Sequence, residues 1–189
     1  MTTDIKDILG DYRAFFADLR ARLTAAGIDI GGCPVSHLAF RTATDGEYLL
    51  VRDRLRAYCS SEIENVWNGR PIGKLLLARP LELDKQFDAP LIELIPPPHR
   101  QPFPMGLEHV GIVVGERFDA FCERHDGILG GRQDQGPYCQ PAWITFANDR
   151  TVKFYRHSLK DVVEMEGRPF LPPPVLSQAS VPASTRKAS

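Results

Sequence analysis

One histidine-bearing strand occurs twice in this chain. Gly106-Leu107-Glu108-His109-Val110-Gly111-Ile112-Val113-Val114 reads as a buried strand with a histidine near its start. Val35-Ser36-His37-Leu38-Ala39-Phe40-Arg41 has the same design 72 positions earlier. A short loop, a helical segment and a set of strand-like runs follow each copy. A repeated unit of this kind confines the chain to two similar modules stacked or paired on one another. A histidine at the same place in both halves points to a shared site.

The rest of the chain fits around that repeat. Ile5, Ile8, Leu9, Tyr12, Phe15, Phe16, Leu19 and Leu23 recur at helical spacing, and Gly27 is a natural stop. The spacing predicts one amphipathic helix over 4–27. Its polar face mixes both signs of charge, which suits packing on a domain and not a membrane surface. The first module, 35–98, has strands expected near 36–42, 62–67, 74–83 and 91–95. Thr44 and Glu47 form a capping box that opens a helix with Leu49, Leu50, Leu55 and Tyr58. Asn68-Gly69-Arg70-Pro71 is a turn signal, and Pro96 to Pro98 stop the last strand. Residues 99–104 read as a linker.

The second module, 105–157, repeats the plan. A strand over 107–114, a helix over 117–125, a glycine-rich loop at 127–131, a weak strand near 133–140 and strands over 142–147 and 151–157 are expected. Ser158 and Asp161 make a second capping box, predicting a short helix within 158–167. Residues 168–189 are rich in proline, serine and alanine and offer little to anchor in a core, so a disordered tail is expected.

Strand parity collects the candidate site, because side chains alternate between faces. His37, Ala39 and Arg41 share one face of the first strand. Glu93 is the only charge in Pro90 to Pro98 and shares a face with Leu91 and Ile95. His109 shares one with Gly111 and Val113. If the modules face each other, His37, Glu93 and His109 converge. Two histidines and a carboxylate are the set that holds Zn, Fe(II), Mn or Ni with positions left open. The plainer readings are a satisfied core histidine and a glutamate paired with Arg41. The duplicated histidine position favours the metal.

The pattern resembles the vicinal oxygen chelate superfamily, which includes glyoxalase I, extradiol dioxygenases and bleomycin-resistance proteins, and within it the YecM family. The residues that carry the resemblance are Ser36-His37-Leu38-Ala39-Phe40-Arg41, Glu64-Asn65-Val66-Trp67-Asn68-Gly69-Arg70-Pro71-Ile72, Leu91-Ile92-Glu93-Leu94-Ile95-Pro96, Leu107-Glu108-His109-Val110 and Thr151-Val152-Lys153-Phe154. The resemblance covers about residues 4–167. It implies an α+β fold, two paired βαβββ modules in a curved mixed sheet around a cleft, with the N-terminal helix outside.

In the superfamily the metal ligands come from the first and fourth strands of each module, which implies His37, Glu93, His109 and the 153 position. There the superfamily usually has glutamate and this chain has Lys153. The departure leaves three ligands and an amine. Lys153 would act as a base or hold an anionic substrate; the competing reading makes it the counter-ion of Glu93 and excludes the metal. Tyr155 and His157 share the Lys153 face. Tyr155 is the second catalytic candidate, and Arg41, Asn68, Arg70 and His157 are candidates to bind substrate, guanidinium forks being suited to carboxylate or phosphate.

The implied function is a metal-dependent isomerase, lyase or dioxygenase that chelates two neighbouring oxygens of a small molecule. The alternative is a metal-free sequestration protein like the bleomycin-resistance branch. A third reading docks the proline-rich tail on a partner. A formal net charge of -1 gives no footprint for nucleic acid or anionic lipid. No apolar run reaches membrane-spanning length. Four widely spaced cysteines, Cys33, Cys59, Cys122 and Cys139, suggest reduced packing thiols and a cytoplasmic setting. A monomer or homodimer with a small-molecule substrate is expected.

Overall fold

The computed structural model describes residues 4–97 and 104–174. The first half supplies β1 (Val35–Arg41), β2 (Cys59–Trp67), β3 (Arg70–Glu82) and β4 (Asp88–Ile95), and the second β5 (Gly106–Val113), β6 (Ala142–Thr145) and β7 (Thr151–Tyr155). They form one seven-stranded sheet in the order β2-β3-β4-β1-β5-β7-β6. β1 pairs with β4 in parallel, β5 pairs with β7 in parallel, and β1 joins β5 antiparallel at the centre. Each half therefore builds outward from its own histidine strand. This is an α+β architecture of two modules paired through their histidine strands.

The sheet's two faces are covered differently. Leu38, Phe40, Ile92, Leu94, Val110, Ile112, Val152 and Phe154 are almost wholly buried on one face. Against them lie residues of α1 (Lys6–Leu9), α2 (Tyr12–Ala25), α3 (Asp45–Arg56) and α4 (Phe118–Arg124). Each such side chain contributes about 1.5–3 kcal/mol by leaving water. The other face carries the alternate residues of the same strands. There Leu91, Cys139 and Tyr155 pack with Leu159 and Val162 of α5 (Leu159–Met165). Both expected capping boxes form, Thr44 with Glu47 at α3 and Ser158 with Asp161 at α5. The β2–β3 connection has positive φ at both Asn68 (49°) and Gly69 (73°), the two-residue turn whose twist suits a hairpin.

Three expectations are corrected. The N-terminal helix is two helices. Gly10, at φ 77°, ends α1, and the Asp11 side chain opens α2 by accepting from the Ala14 N–H at 3.0 Å. Apolar periodicity runs through the break because Ile8, Leu9, Tyr12 and Phe15 all enter one core. The second module has one strand fewer than the first. Residues 133–140 form a loop, with the Gln133 N–H donating to the Pro141 carbonyl and the Gln135 N–H to that of Cys139. Gly136 and Pro137 within it cannot support a ladder. Third, residues 168–174 are tied to the fold. Phe170 packs on the apolar cluster of α5, and Leu171 exchanges two backbone hydrogen bonds with Glu62. The rest of the expected tail, residues 99–103 of the expected linker including His99, and Pro98 lie outside the described residues.

Candidate metal centre

Register brings the two histidines and the carboxylate together. Ala39, on β1, has Glu93 as its partner on β4 and His109 as its partner on β5. His37 lies two residues away on the same face, and its partner across the strand is Gly111. The missing side chain at 111 is what admits the His37 ring. A Cβ there would lie 2.3 Å from Cε1 and 2.6 Å from Nδ1 of His37. Both histidines are fully buried, and the Glu93 side chain is 12% exposed.

Three ligand atoms meet at one place. His37 Nε2 is 3.3 Å from His109 Nε2, and Glu93 Oε2 is 3.6 Å and 3.2 Å from those nitrogens. By plane geometry the point equidistant from all three is about 2.0 Å from each, against the 2.0–2.2 Å of zinc bonds to nitrogen and carboxylate oxygen. The residues present therefore suit a divalent metal, which His37 Nε2, His109 Nε2 and Glu93 Oε2 would hold.

The outer ring nitrogens are also engaged. His109 Nδ1 is 3.2 Å from Glu108 Oε1, and the other oxygen of Glu108 accepts from Arg41 Nε. Burial acts against the Glu108 charge, but His109 and Arg41 overcome it and hold the carboxyl down to about 2. An ionised Glu108 only accepts, so it fixes a proton on His109 Nδ1 and aims the Nε2 lone pair at the cluster. His37 Nδ1 is 2.9 Å from Ser36 Oγ, which also accepts from the Leu159 N–H at 2.8 Å. Ser36 thus ties the start of α5 to the site.

Burial dominates the His37 electrostatics and pulls its pKa down to about 3, with Glu93 opposing. The ring is neutral at ordinary pH, as a metal ligand must be. Burial would raise Glu93, yet its contacts with His109 and His37 and the charge of Lys153 hold it well below the usual carboxylate range.

The remaining predicted residues divide. Lys153 is the β7 partner of Gly111, and its charge acts on His37 and Glu93, but among the described residues it makes no ion pair. Tyr155 is 2% exposed, edge-on to His37 at 5.4 Å between ring centroids. Burial, then Glu93 and Cys139, push its pKa well above the ordinary value, so the phenol keeps its proton. Arg41 stands behind His109, donating to Glu108 and to the Pro96 carbonyl. Arg70 is half-buried near Arg41 and Glu108, with Nη1 unpartnered. Asn68 is exposed at the hairpin tip, and His157 is half-buried just past β7.

A cavity of about 90 Å³ reaches the cluster through Glu93 and is bounded by Asn65, Trp67, Lys74, Cys139 and Leu159, among others. Three participants escaped sequence reasoning: Lys74 in this wall, Glu108 behind His109 and Ser36 behind His37. Glu108 and Ser36 each directly precede a candidate ligand histidine, a signal legible in the sequence.

Residues 4–138 match the family model described as YecM protein. No curated protein matches the chain. A solved structure described as Structural Genomics, Protein EC4020, superposes with a TM-score of 0.68 at 23% identity, over 85% of this chain and 92% of that one. The hypothetical protein BH1468 from Bacillus halodurans C-125 gives 0.41 at 14% identity, over 65% and 93%. A variant of 4-hydroxymandelate synthase from Streptomyces coelicolor gives 0.35 at 11%, over 72% and 56%. Of these three, the first is close enough to speak to the fold, and it speaks to the fold alone.

Proposed function

The chain belongs to the YecM family, and on that premise we propose that it is a metal-dependent enzyme of the vicinal oxygen chelate type. Its substrate is a small, oxygen-rich molecule held through two neighbouring oxygens, and its reaction an isomerisation, a lysis or a dioxygenation. One observation carries the reading: His37, Glu93 and His109 converge within a single metal-sized triangle. A neutral His37 and a His109 oriented by Glu108 both turn Nε2 toward the same point as a carboxylate oxygen. Such a convergence of acceptors is costly unless a cation or an extra proton lies between them.

A bound Zn(II), Fe(II), Mn(II) or Ni(II) ion would supply Lewis acidity toward adjacent substrate oxygens. The chain's own residues supply the rest. Tyr155, held protonated beside His37, donates a hydrogen bond to substrate. Lys153 places a cation at the same face and stabilises negative charge there. Arg41 and Glu108 keep His109 in its ligating tautomer.

Elemental analysis tests the reading. Wild-type protein should carry close to one divalent ion per chain, and His109→Ala should carry none, with circular dichroism reporting an intact fold. A folded wild type that stays metal-free after incubation with all four ions would replace this reading with metal-free sequestration of a small ligand.

A further inference from the structure

Lys74 is a buried cation with nothing to hold. It lies on β3 directly across from Glu93 on β4, and it is 8% exposed. Among the described residues its ammonium group makes no hydrogen bond and no ion pair. Glu93 is the obvious counter-ion, but Glu93 Oε2 is turned to the two histidines. Burying an ammonium group without a partner is costly, so the partner is expected from outside the chain.

The surroundings say what that partner is. Lys74 opens on the cavity beside the candidate metal centre. Glu166, also in the wall, pairs with Arg168 and makes no ion pair with the lysine. Asn65, also in the wall, has a buried Oδ1 with no partner. It can accept from a hydroxyl or, with the amide turned, donate to an oxyanion.

We infer that Lys74 is the anion anchor of the substrate: it binds an oxyanion, a carboxylate or phosphate, with Asn65 as the neighbouring polar contact. The inference deepens the proposed function and rests on its reading of this cleft as the substrate site. Lys74 is a binding residue here, and Glu93 on the opposite strand sets the distance from the anchored group to the ligand cluster.

The probes are glycolate and inorganic phosphate, titrated separately into the full chain. The readout is the NMR signal of the lysine side chains, in metal-loaded and in chelator-treated protein. One probe at least should shift the Lys74 signal saturably in the wild type. Lys74→Met should weaken that probe about tenfold or more, the scale of a charge-assisted hydrogen bond. Metal content of the variant should stay at the wild-type level. Asn65→Ala is the second variant, expected to weaken the same probe while leaving the Lys74 signal in place. Unchanged affinity in Lys74→Met, or a Lys74 signal indifferent to both probes in the wild type, overturns the inference. A metal-free wild type would sink the enzyme reading alone, because the chelator-treated titration still decides for or against Lys74.

Discussion

Replacing Gly111 with alanine should dismantle the ligand cluster through a single methyl group. The new Cβ would stand 2.3 Å from His37 Cε1, whereas ordinary contact begins near 3.4 Å, so the ring must retreat by about 1.1 Å. The atom in the way belongs to a rigid ring. That ring is fully buried, bonded to Ser36 at 2.9 Å and flanked edge-on by His109 and Tyr155. Metal–ligand distances tolerate roughly 0.2 Å. The displacement is several times that, so Gly111→Ala should lose bound metal nearly as completely as His109→Ala. Overpacking of this kind also destabilises by about 1–3 kcal/mol, which for a chain of this length is a fall of roughly 2–12 °C in Tm. Elemental analysis and thermal unfolding read the two effects separately. Gly127→Ala is the control, since a Cβ there meets nothing within 4 Å. A Gly111→Ala protein that melts like the wild type with its metal in place would refute the argument that this glycine exists to seat His37.

Glu108→Gln removes the carboxylate that fixes the His109 tautomer, and chelator competition should show metal affinity weakened about 10- to 100-fold. Lys153→Glu supplies the acid usual at this position in the superfamily, and the same competition should show metal bound at least about tenfold more tightly. Burial first of all pushes the Cys59 and Cys139 thiols up to about 12. Since only the thiolate reacts, native protein at pH 8 should alkylate at these two positions about a thousandfold more slowly than the unfolded chain, which mass spectrometry of a labelling time course would reveal. Ser158→Ala deletes the N-cap of α5 and should cost about 1 kcal/mol by urea unfolding.

Much of this architecture is written in local sequence. The two histidine strands, the helices after them and both capping boxes depend on neighbours within a few residues. Strand parity, also local, was enough to put His37, Glu93 and His109 on inward faces. Their meeting needed one further assumption, that the halves pack as equivalents, and the repeated histidine supplied it.

Other features depend on which strands lie side by side, and no local pattern carries that information. Lys74 reads as one charged residue in the otherwise uncharged run from Pro71 to Ala78. Its place opposite Glu93 is decided by the register of β3 on β4, which shifts between Leu76 and Leu81. Arg41 has the chemistry of a substrate ligand, yet β5 lies beside β1 and Glu108 takes its guanidinium first. Gly10 interrupts a helical period that the shared core preserves on both sides of the break. Residues 168–174 have little apolar content to announce them, and they are held by backbone hydrogen bonds to Glu62 on the edge strand β2. Side-chain direction follows from the chain's own geometry at each residue. Which charge faces which, and which is left without a partner, is decided only when strands distant in sequence align.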